Sequence, residues 1–256
     1  MLDKSFLDGV TSAQLQYYAQ KKWTFGITEV LIHEHLRKRD ARRIANLFKL
    51  HSIEDSIVLL PGMGEMFRAE GTSLKPASKV LRAKSVNFRT ERGPTGQFFE
   101  LDGNALRSTK ARAVEVEKRL HALTEVWRMF SEIPALKDSK PEEIPAKVHE
   151  LSLQIRDDHE DMRKFYGNHR PPSFPPPELL DEDWALFRSI QVQLLAGLDF
   201  FASYGLDKSP SREKLLHEIF DLDYLISALL VGGLACREIR FVERFRLLRS
   251  DGIILR

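Results

Sequence analysis

Six side chains near the two ends of the chain have the types and placement to do chemistry together: Asp3, Ser5, Glu34, Asp221, Asp223 and Glu238. Asp3 and Ser5 fall on a short apolar run at the start, and Glu34 on a helical pattern that begins at Thr28. Asp221 and Asp223 lie on a helical pattern ahead of Gly232-Gly233, and Glu238 follows Leu234-Ala-Cys236. These are strand ends and the helix starts after them, the places where open α/β sheets bind ligands. Three or four converging carboxylates repel one another until a cation arrives, so a cluster of this kind is hard to explain without a ligand. Hard cations held by carboxylate oxygens make a water nucleophilic and stabilise an anionic leaving oxygen, the two requirements of phosphodiester hydrolysis.

The elements that must position these residues follow from the local patterns. Met1 to Leu7 reads as a strand that stops at the turn pair Asp8-Gly9. Thr11 or Ser12 caps a helix over Ala13 to Lys22, and Trp23 to Ile27 is a second extended piece. Thr28 is placed as the N-cap of a helix whose apolar residues are Val30, Leu31, Leu36, Ile44, Leu47 and Phe48, spaced for one wet face. At the far end, Ser211 to Val231 is helical and Leu234 to Cys236 is a short buried strand. Phe241 to Leu247 is a basic helix, and Ser250-Asp-Gly252 turns into the strand Ile253 to Leu255. Strands alternating with helices imply parallel pairing.

The middle differs in character. Lys75 to Arg92 holds six basic residues against the single acid Glu91, and Gly93-Pro94-Thr-Gly96 ends it as a turn. Val116, Leu120, Leu123, Trp127 and Phe130 recur at helical steps, as do Val148, Leu151, Ile155, His159, Met162 and Tyr166, which reads as a helical hairpin. Pro134, Pro141 and Pro145 mark its connector, since proline fits poorly inside a helix. Pro171 to Pro177 is a rigid extended link and the best candidate for a boundary. Trp184 to Phe201 is a further core helix closed by Gly205.

The end segments resemble the PIN-domain family of metal-dependent nucleases. Leu2-Asp-Lys-Ser-Phe-Leu7 resembles the family's first strand, apolar-Asp-Thr-Ser/Asn. Ile27-Thr-Glu-Val-Leu-Ile-His-Glu34 resembles its Ile-Ser-x-Ile-Thr-x-x-Glu segment. Asp221-Leu-Asp-Tyr-Leu-Ile-Ser-Ala228 and Gly233-Leu-Ala-Cys-Arg-Glu238 resemble its Asp-x-x-x-x-Ala helix and its strand ending in Thr-Arg-Asp/Asn. The resemblance implies an α/β fold with a PIN-like parallel sheet flanked by helices and built from both chain ends. The core would comprise about 1–70 and 206–256, with a helical insertion over about 71–205. It also implies a single or paired Mg²⁺ or Mn²⁺ held by Asp3, Glu34 and one of Asp221 or Asp223, with Glu238 in the fourth place and Ser5 orienting Asp3. The implied activity is endoribonuclease cleavage of RNA, of the toxin or RNA-processing kind, with an inhibitor protein or a second copy as further partners. Glu238 departs from the family's usual Asp or Asn by one methylene. Asp221 is nearer the usual spacing before the strand, Asp223 abuts the Tyr-Leu pair, and neighbours two apart on a helix point about 200° from each other.

Each motif has a plainer reading beside it. Asp3 is otherwise a solvated terminal residue, Glu34 a surface glutamate, and Glu238 a partner for Arg237 or Arg240. His33 and His35 flank Glu34 but face apart on a helix, which disfavours a His-Glu-His metal site. Lys79, Arg82, Lys84, Arg89, Arg237 and Arg240 are candidates for contacting phosphates, or else line a solvated charged face. Phe88 either stacks on a base or packs in the core. Cys236 is expected to be a buried strand residue.

Composition narrows the alternatives. With 43% apolar residues and 9% aromatics, 256 residues bury a full core. A formal charge of +2, from 39 basic and 37 acidic residues, leaves any polyanion affinity to local clusters. One cysteine excludes a disulfide framework and a cysteine-rich zinc site, which suits a reducing compartment. The apolar stretch Tyr224 to Cys236 is shorter than the roughly 20 residues that span a bilayer, so the expectation is a cytoplasmic protein with no membrane partner. Two rivals remain: a catalytically inactive PIN-like module that binds RNA or protein, and a mostly helical interaction protein lacking strands at 1–7, 234–236 and 253–255.

Overall fold

A computed structural model gives the protein a mixed α/β architecture that is mostly helical, with short strands. The structure describes residues 1–36, 41–85, 91–93, 96–98, 126, 128–130, 133–140, 142–204 and 211–256. The first part runs α1 Lys4–Gly9, α2 Ser12–Gln20, β1 Phe25–Ile27, α3 Glu29–Leu36, α4 Ala41–His51, β2 Ile57–Leu59, α5 Met63–Ser73, α6 Ala77–Val80 and β3 Lys84–Ser85. A β4 Glu91–Gly93 and β5 Gly96–Phe98 hairpin follows, then α7 Pro134–Lys137, α8 Ile144–Asp157, α9 His159–His169 and α10 Ala185–Tyr204. The chain ends with α11 Arg212–Val231, β6 Gly233–Ala235, α12 Ile239–Leu248 and β7 Ile253–Leu255.

Local chemistry accounts for most element boundaries. Thr11 and Gln14 form a reciprocal capping box at the start of α2, satisfying two orphan N–H groups at once. Ser211 accepts from the Lys214 N–H to open α11, and Gly232 closes it at φ +72°, a left-handed position where a Cβ is strained. Helix α10 is buried nearly all round, including the polar Arg188, Ser189 and Gln191, which accounts for its largely apolar composition. It packs between α5, α8 and α11. One hydrophobic cluster joins residues from both chain ends with those of α8, α9 and α10.

Strand pairing runs across the N-terminus. Strands β1 and β2 are parallel with Phe25 opposite Ile57, β2 and β3 are antiparallel, and β6 and β7 are parallel with Gly233 opposite Ile253. Residues 1–3 lie between the two groups. The Leu2 N–H donates to the Gly26 carbonyl at 2.8 Å, Leu2 forms a parallel bridge with Ala235, and the Asp3 N–H donates to the Ala235 carbonyl at 3.0 Å. Backbone bonding is therefore continuous in the order β3, β2, β1, residues 1–3, β6, β7. The carboxyl end of the central segment is Asp3.

The structure corrects several expectations. The extended start ends at Asp3, and residues 4–9 are helical, because the Asp3 side chain accepts the Ser5 N–H at 2.8 Å and so caps α1. Phe6 and Leu7 are then buried from a helix. Helix α3 begins after Thr28 as expected, but the buried Thr28 hydroxyl has no hydrogen-bond partner among the described residues, so it does not act as a side-chain cap. The helical pattern from Val148 to Tyr166 is two helices, broken at Asp158, whose carboxylate caps α9 through the Asp161 N–H. Pro145 sits in the first turn of α8, where its missing N–H has no intrahelical acceptor to lose. Strand β6 begins one residue earlier than expected, though the Cys236 N–H still donates to the Leu255 carbonyl at 3.1 Å. The proline-rich link is held to α9, with the Tyr166 hydroxyl donating to the Pro175 carbonyl at 2.8 Å. Arg89, Phe88, the candidate helix over 116–125 and Gly205 lie outside the described residues. Among those residues no helix is long and apolar enough to cross a membrane.

Candidate functional site

Asp3 closes the central extended segment and is 8% exposed. Its Oδ2 accepts the Ser5 N–H at 2.8 Å, a close bond from the Ser5 hydroxyl, and a contact from the Cys236 thiol at 3.3 Å. Ser5 Oγ in turn accepts the Arg237 N–H at 3.0 Å. Ser5 thus ties the start of α1 to the turn after β6 and holds the Asp3 side chain. All three bonds converge on Oδ2. The same bonding has a purely structural value, since Asp3 is also the N-cap of α1.

Helix α11 supplies the opposing wall. Glu218, Asp221 and Tyr224 are spaced three apart and share one face. The Tyr224 hydroxyl, on a residue only 1% exposed, donates to Glu34 Oε2 at 2.9 Å and so joins α11 to α3. Asp221 is strongly perturbed. Burial, followed by the charges of Glu218, Glu238 and Asp3, pushes its carboxyl up to about 8. Burial also raises Glu34, with the Tyr224 hydrogen bond and the Lys4 charge opposing and Asp3 adding to the rise. Glu238 is raised by burial and then by Asp3 and Glu218. Asp3, Glu34, Asp221 and Glu238 therefore share one electrostatic neighbourhood, although they come from four separate elements.

Asp223 is 3% exposed and lies about 200° around α11 from Asp221. The face toward Glu34 and Asp3 is that of Tyr224 and Asp221, so the helix brings Asp221 to the cluster and turns Asp223 to the opposite side. Sequence reasoning missed Lys4, Glu218 and Tyr224. Helical spacing around Asp221 was the available signal for the last two. Arg244 is buried, pairs closely with Glu218 and reaches Asp199 through Nε at 2.7 Å. Arg244 lowers Asp221 only as the last of its main influences.

The basic candidates are dispersed. Arg240 pairs with Asp199 at 3.1 Å. The Arg237 guanidinium lies over Gly9, where an added Cβ would come within 2.0 Å of it, a close approach that only glycine allows without moving the arginine. Lys79 and Arg82 are exposed on and just after α6. The Lys84 side chain and Arg89 lie outside the described residues. Cys236 is raised to about 12 by burial and the Asp3 charge, which keeps it a thiol and excludes thiolate chemistry at neutral pH. His35 is buried, donates through Nδ1 to the Leu31 carbonyl at 2.8 Å and accepts at Nε2 from the Asn46 amide at 3.1 Å. It serves the packing of α3 on α4.

The donor set, all carboxylate oxygens bearing mutually unfavourable charge, suits a hard divalent cation in type. Among the described residues, however, no three His, Cys, Asp or Glu side chains are gathered closely enough to hold a metal ion. Any chelation requires rotamer changes or bridging water.

The raised Asp221 carboxyl has a measurable consequence. Its ordinary value is 3.8 and its folded value about 8, so between these the folded state holds a proton that the unfolded state has released. Stability must then fall as pH rises through this window, by at most about 1.4 kcal/mol per pH unit for one proton. Thermal melts in chelator from pH 7 to 9 should show a declining midpoint, and Asp221→Asn should flatten the decline. Equal slopes in the two proteins would remove Asp221 as its source. The melts start at pH 7 because burial lowers the His35 pKa, which costs stability at lower pH, and the decline due to Asp221 levels off above about pH 8.

Comparison with known proteins finds no match to this chain among family models, curated proteins or solved structures.

Proposed function

We propose that the protein is a divalent-metal-dependent endoribonuclease of the PIN-like type, acting at Asp3, Glu34, Asp221 and Glu238. One observation carries the reading: the charge of Asp3, at the carboxyl end of the central segment, raises Glu34, Asp221 and Glu238, which come from three other elements. The order of backbone pairing supports it. The chain moves outward from residues 1–3 to β1 and β2 on one side, then returns to β6 and β7 on the other. Open α/β sheets place ligands outside the carboxyl ends of strands where the order reverses in this way.

Such a cation, Mg²⁺ or Mn²⁺, would supply a nucleophilic water and stabilise the leaving oxygen. The residues that would hold it are Asp3, Glu34 and Asp221, with Glu238 reaching through water. Ser5 keeps Asp3 in place, and Lys4, whose charge already acts on Glu34 and Glu238, stands where a phosphate of the substrate would be neutralised. The exposed Arg237 bonds Ser5 through its backbone N–H at 3.0 Å. The unassembled chelate favours a second reading, an inactive module that binds RNA without cutting it.

Incubation with RNA and DNA oligonucleotides in Mg²⁺ or Mn²⁺, against chelator, distinguishes them. Cleavage of RNA that is lost in chelator and in both Asp3→Asn and Glu34→Gln is expected. Cleavage persisting unchanged in both variants would sink the catalytic assignment, and retention of RNA without cleavage would favour the binding module.

A further inference from the structure

We propose that an apolar groove beside the sheet binds a medium-chain carboxylate, its chain lying along β6 and β7 and its acid group at the cations on and after α6. None of the residues lining the groove belongs to the acidic cluster, so the inference stands apart from the nuclease reading. A cavity of about 290 Å³ lies among Trp23, Val58, Leu60, Val231, Ile253 and Leu255. Strand β6 contributes only the small Gly233 and Ala235 beside Leu234, and an added Cβ at Gly233 meets nothing nearer than the Ile253 carbonyl at 3.8 Å. A second cavity of about 130 Å³, against Met66, Ala77, Leu81 and Leu230, shares Leu60 and Val231 with the first, so the two adjoin. Val231 and Ile253 are 49% and 54% exposed. Large apolar side chains left open along one continuous apolar surface are a mark of a ligand-binding groove.

Size and charge select the occupant. A cavity of about 150 Å³ accommodates one benzene, so the larger cavity admits roughly twice that apolar bulk, a chain of about ten carbons. A concave groove of this volume holds one chain rather than a bilayer surface. Its smaller end is polar and cationic. Ser78 and Ser227 line that cavity, and the Ser227 hydroxyl is buried with no hydrogen-bond partner among the described residues, a condition that calls for an explanation in a native protein. Lys79 and Arg82 alternate along the chain with Ser78, Leu81 and Ala83, which line the same cavity. Both are exposed, and neither is paired with an acid among the described residues. An uncharged ligand draws nothing from these cations, and a cationic one is repelled by them. A carboxylate accepts from the hydroxyls and pairs with either cation.

The test is calorimetric titration of the full chain at low ionic strength with decanoate, decanol and decyltrimethylammonium, each below the concentration at which it aggregates. Decanoate should bind saturably with a negative heat-capacity change, the marker of apolar burial. It should bind about tenfold more tightly than the cation, and added salt should weaken decanoate while leaving decanol unchanged. Gly233→Leu, which places a side chain in the groove, should abolish binding of decanoate and decanol alike. Lys79→Glu combined with Arg82→Glu should weaken decanoate by about tenfold and spare decanol. No saturable binding of decanoate, equal affinity for all three probes, or undiminished decanoate binding in Gly233→Leu would overturn the proposal. Binding to phosphatidylglycerol vesicles without binding of free decanoate would assign the groove to a membrane and overturn it too. Self-association that Gly233→Leu abolishes and decanoate does not reverse would give the groove to a second copy, with the same result. Should Gly233→Leu not fold, Val231→Glu puts a charge that repels a carboxylate on an exposed residue shared by the two cavities. Loss of decanoate binding there would support the groove, and wild-type affinity would overturn it.

Discussion

On the proposed nuclease reading, replacing Asp221 by asparagine should lower metal-dependent RNA cleavage by about a thousandfold, while Asp223→Asn should leave it within about threefold. A metal-site carboxylate contributes several kcal/mol to stabilising charge in the transition state, and each 1.4 kcal/mol or so is tenfold in rate. Asp221 lies on the face of α11 that also presents Tyr224 to Glu34, and it feels Glu218, Glu238 and Asp3 directly. Asp223 is turned about 200° away on the same helix. Single-turnover cleavage with enzyme in excess measures the chemical step in both variants and keeps product release out of the comparison. Strong loss in Asp223→Asn with little in Asp221→Asn would reverse the assignment of the helix face. Small losses in both would leave α11 without a catalytic acid and favour the binding-module reading. Asp221→Asn should also be the more stable protein in chelator at pH 9, because it removes a buried charge that wild-type protein must carry there. Loss of activity with gain of stability is the signature of a residue kept for its chemistry.

The largest effect on stability belongs to a residue remote from that site. Glu70, at the end of α5, is fully buried. Its Oε1 accepts the Ala77 N–H at 2.9 Å and the Ala185 N–H at 2.7 Å, and its Oε2 accepts the Leu186 N–H at 2.9 Å. The carboxylate therefore caps α6 and the first turn of α10 together, satisfying orphan donors that the apolar surroundings would otherwise leave bare. Glu70→Ala strands three buried N–H groups and opens a cavity. At about 1–3 kcal/mol for each unsatisfied donor, a loss of about 4 kcal/mol or more is expected, a large share of a typical folding free energy of about 5–15 kcal/mol. Glu70→Gln should cost less, about 1–3 kcal/mol, since its amide keeps one acceptor but turns an N–H against a backbone donor. Urea unfolding followed by far-ultraviolet circular dichroism gives both numbers. A glutamine variant as stable as the wild type would mean that the carboxylate is not what holds the two helices.

Local signals in the sequence carried the helix boundaries and the alternation of strand and helix at both chain ends. The Thr11-Gln14 capping box, the Ser211 cap and the Gly232 stop were all legible, because each depends on residues a few positions apart. The same short range explains the misreadings. Apolar residues at the start look like a strand in one dimension, yet an aspartate with a serine two residues on is also a helix cap, and the Asp3 to Ser5 bond decides for the helix. Capping at Thr28 failed for the opposite reason: the residue type is right, but the hydroxyl points where no donor meets it.

The acids were readable as candidates, and helical geometry already implied that Asp221 and Asp223 could not both face one site. Which of the two does so depended on what stands opposite α11. That is Glu34, 190 residues from the tyrosine that holds it. The Glu70 clamp, whose partner Ala185 is 115 residues away, left no trace in local pattern at all, for a buried glutamate and an exposed one look alike in sequence. Residue types and spacing set what each element can be, through caps, turns and hydrophobic period. Only the packing of distant elements decided which carboxylates share a neighbourhood, because desolvation and charge repulsion act through space and depend on distances that the chain order does not contain.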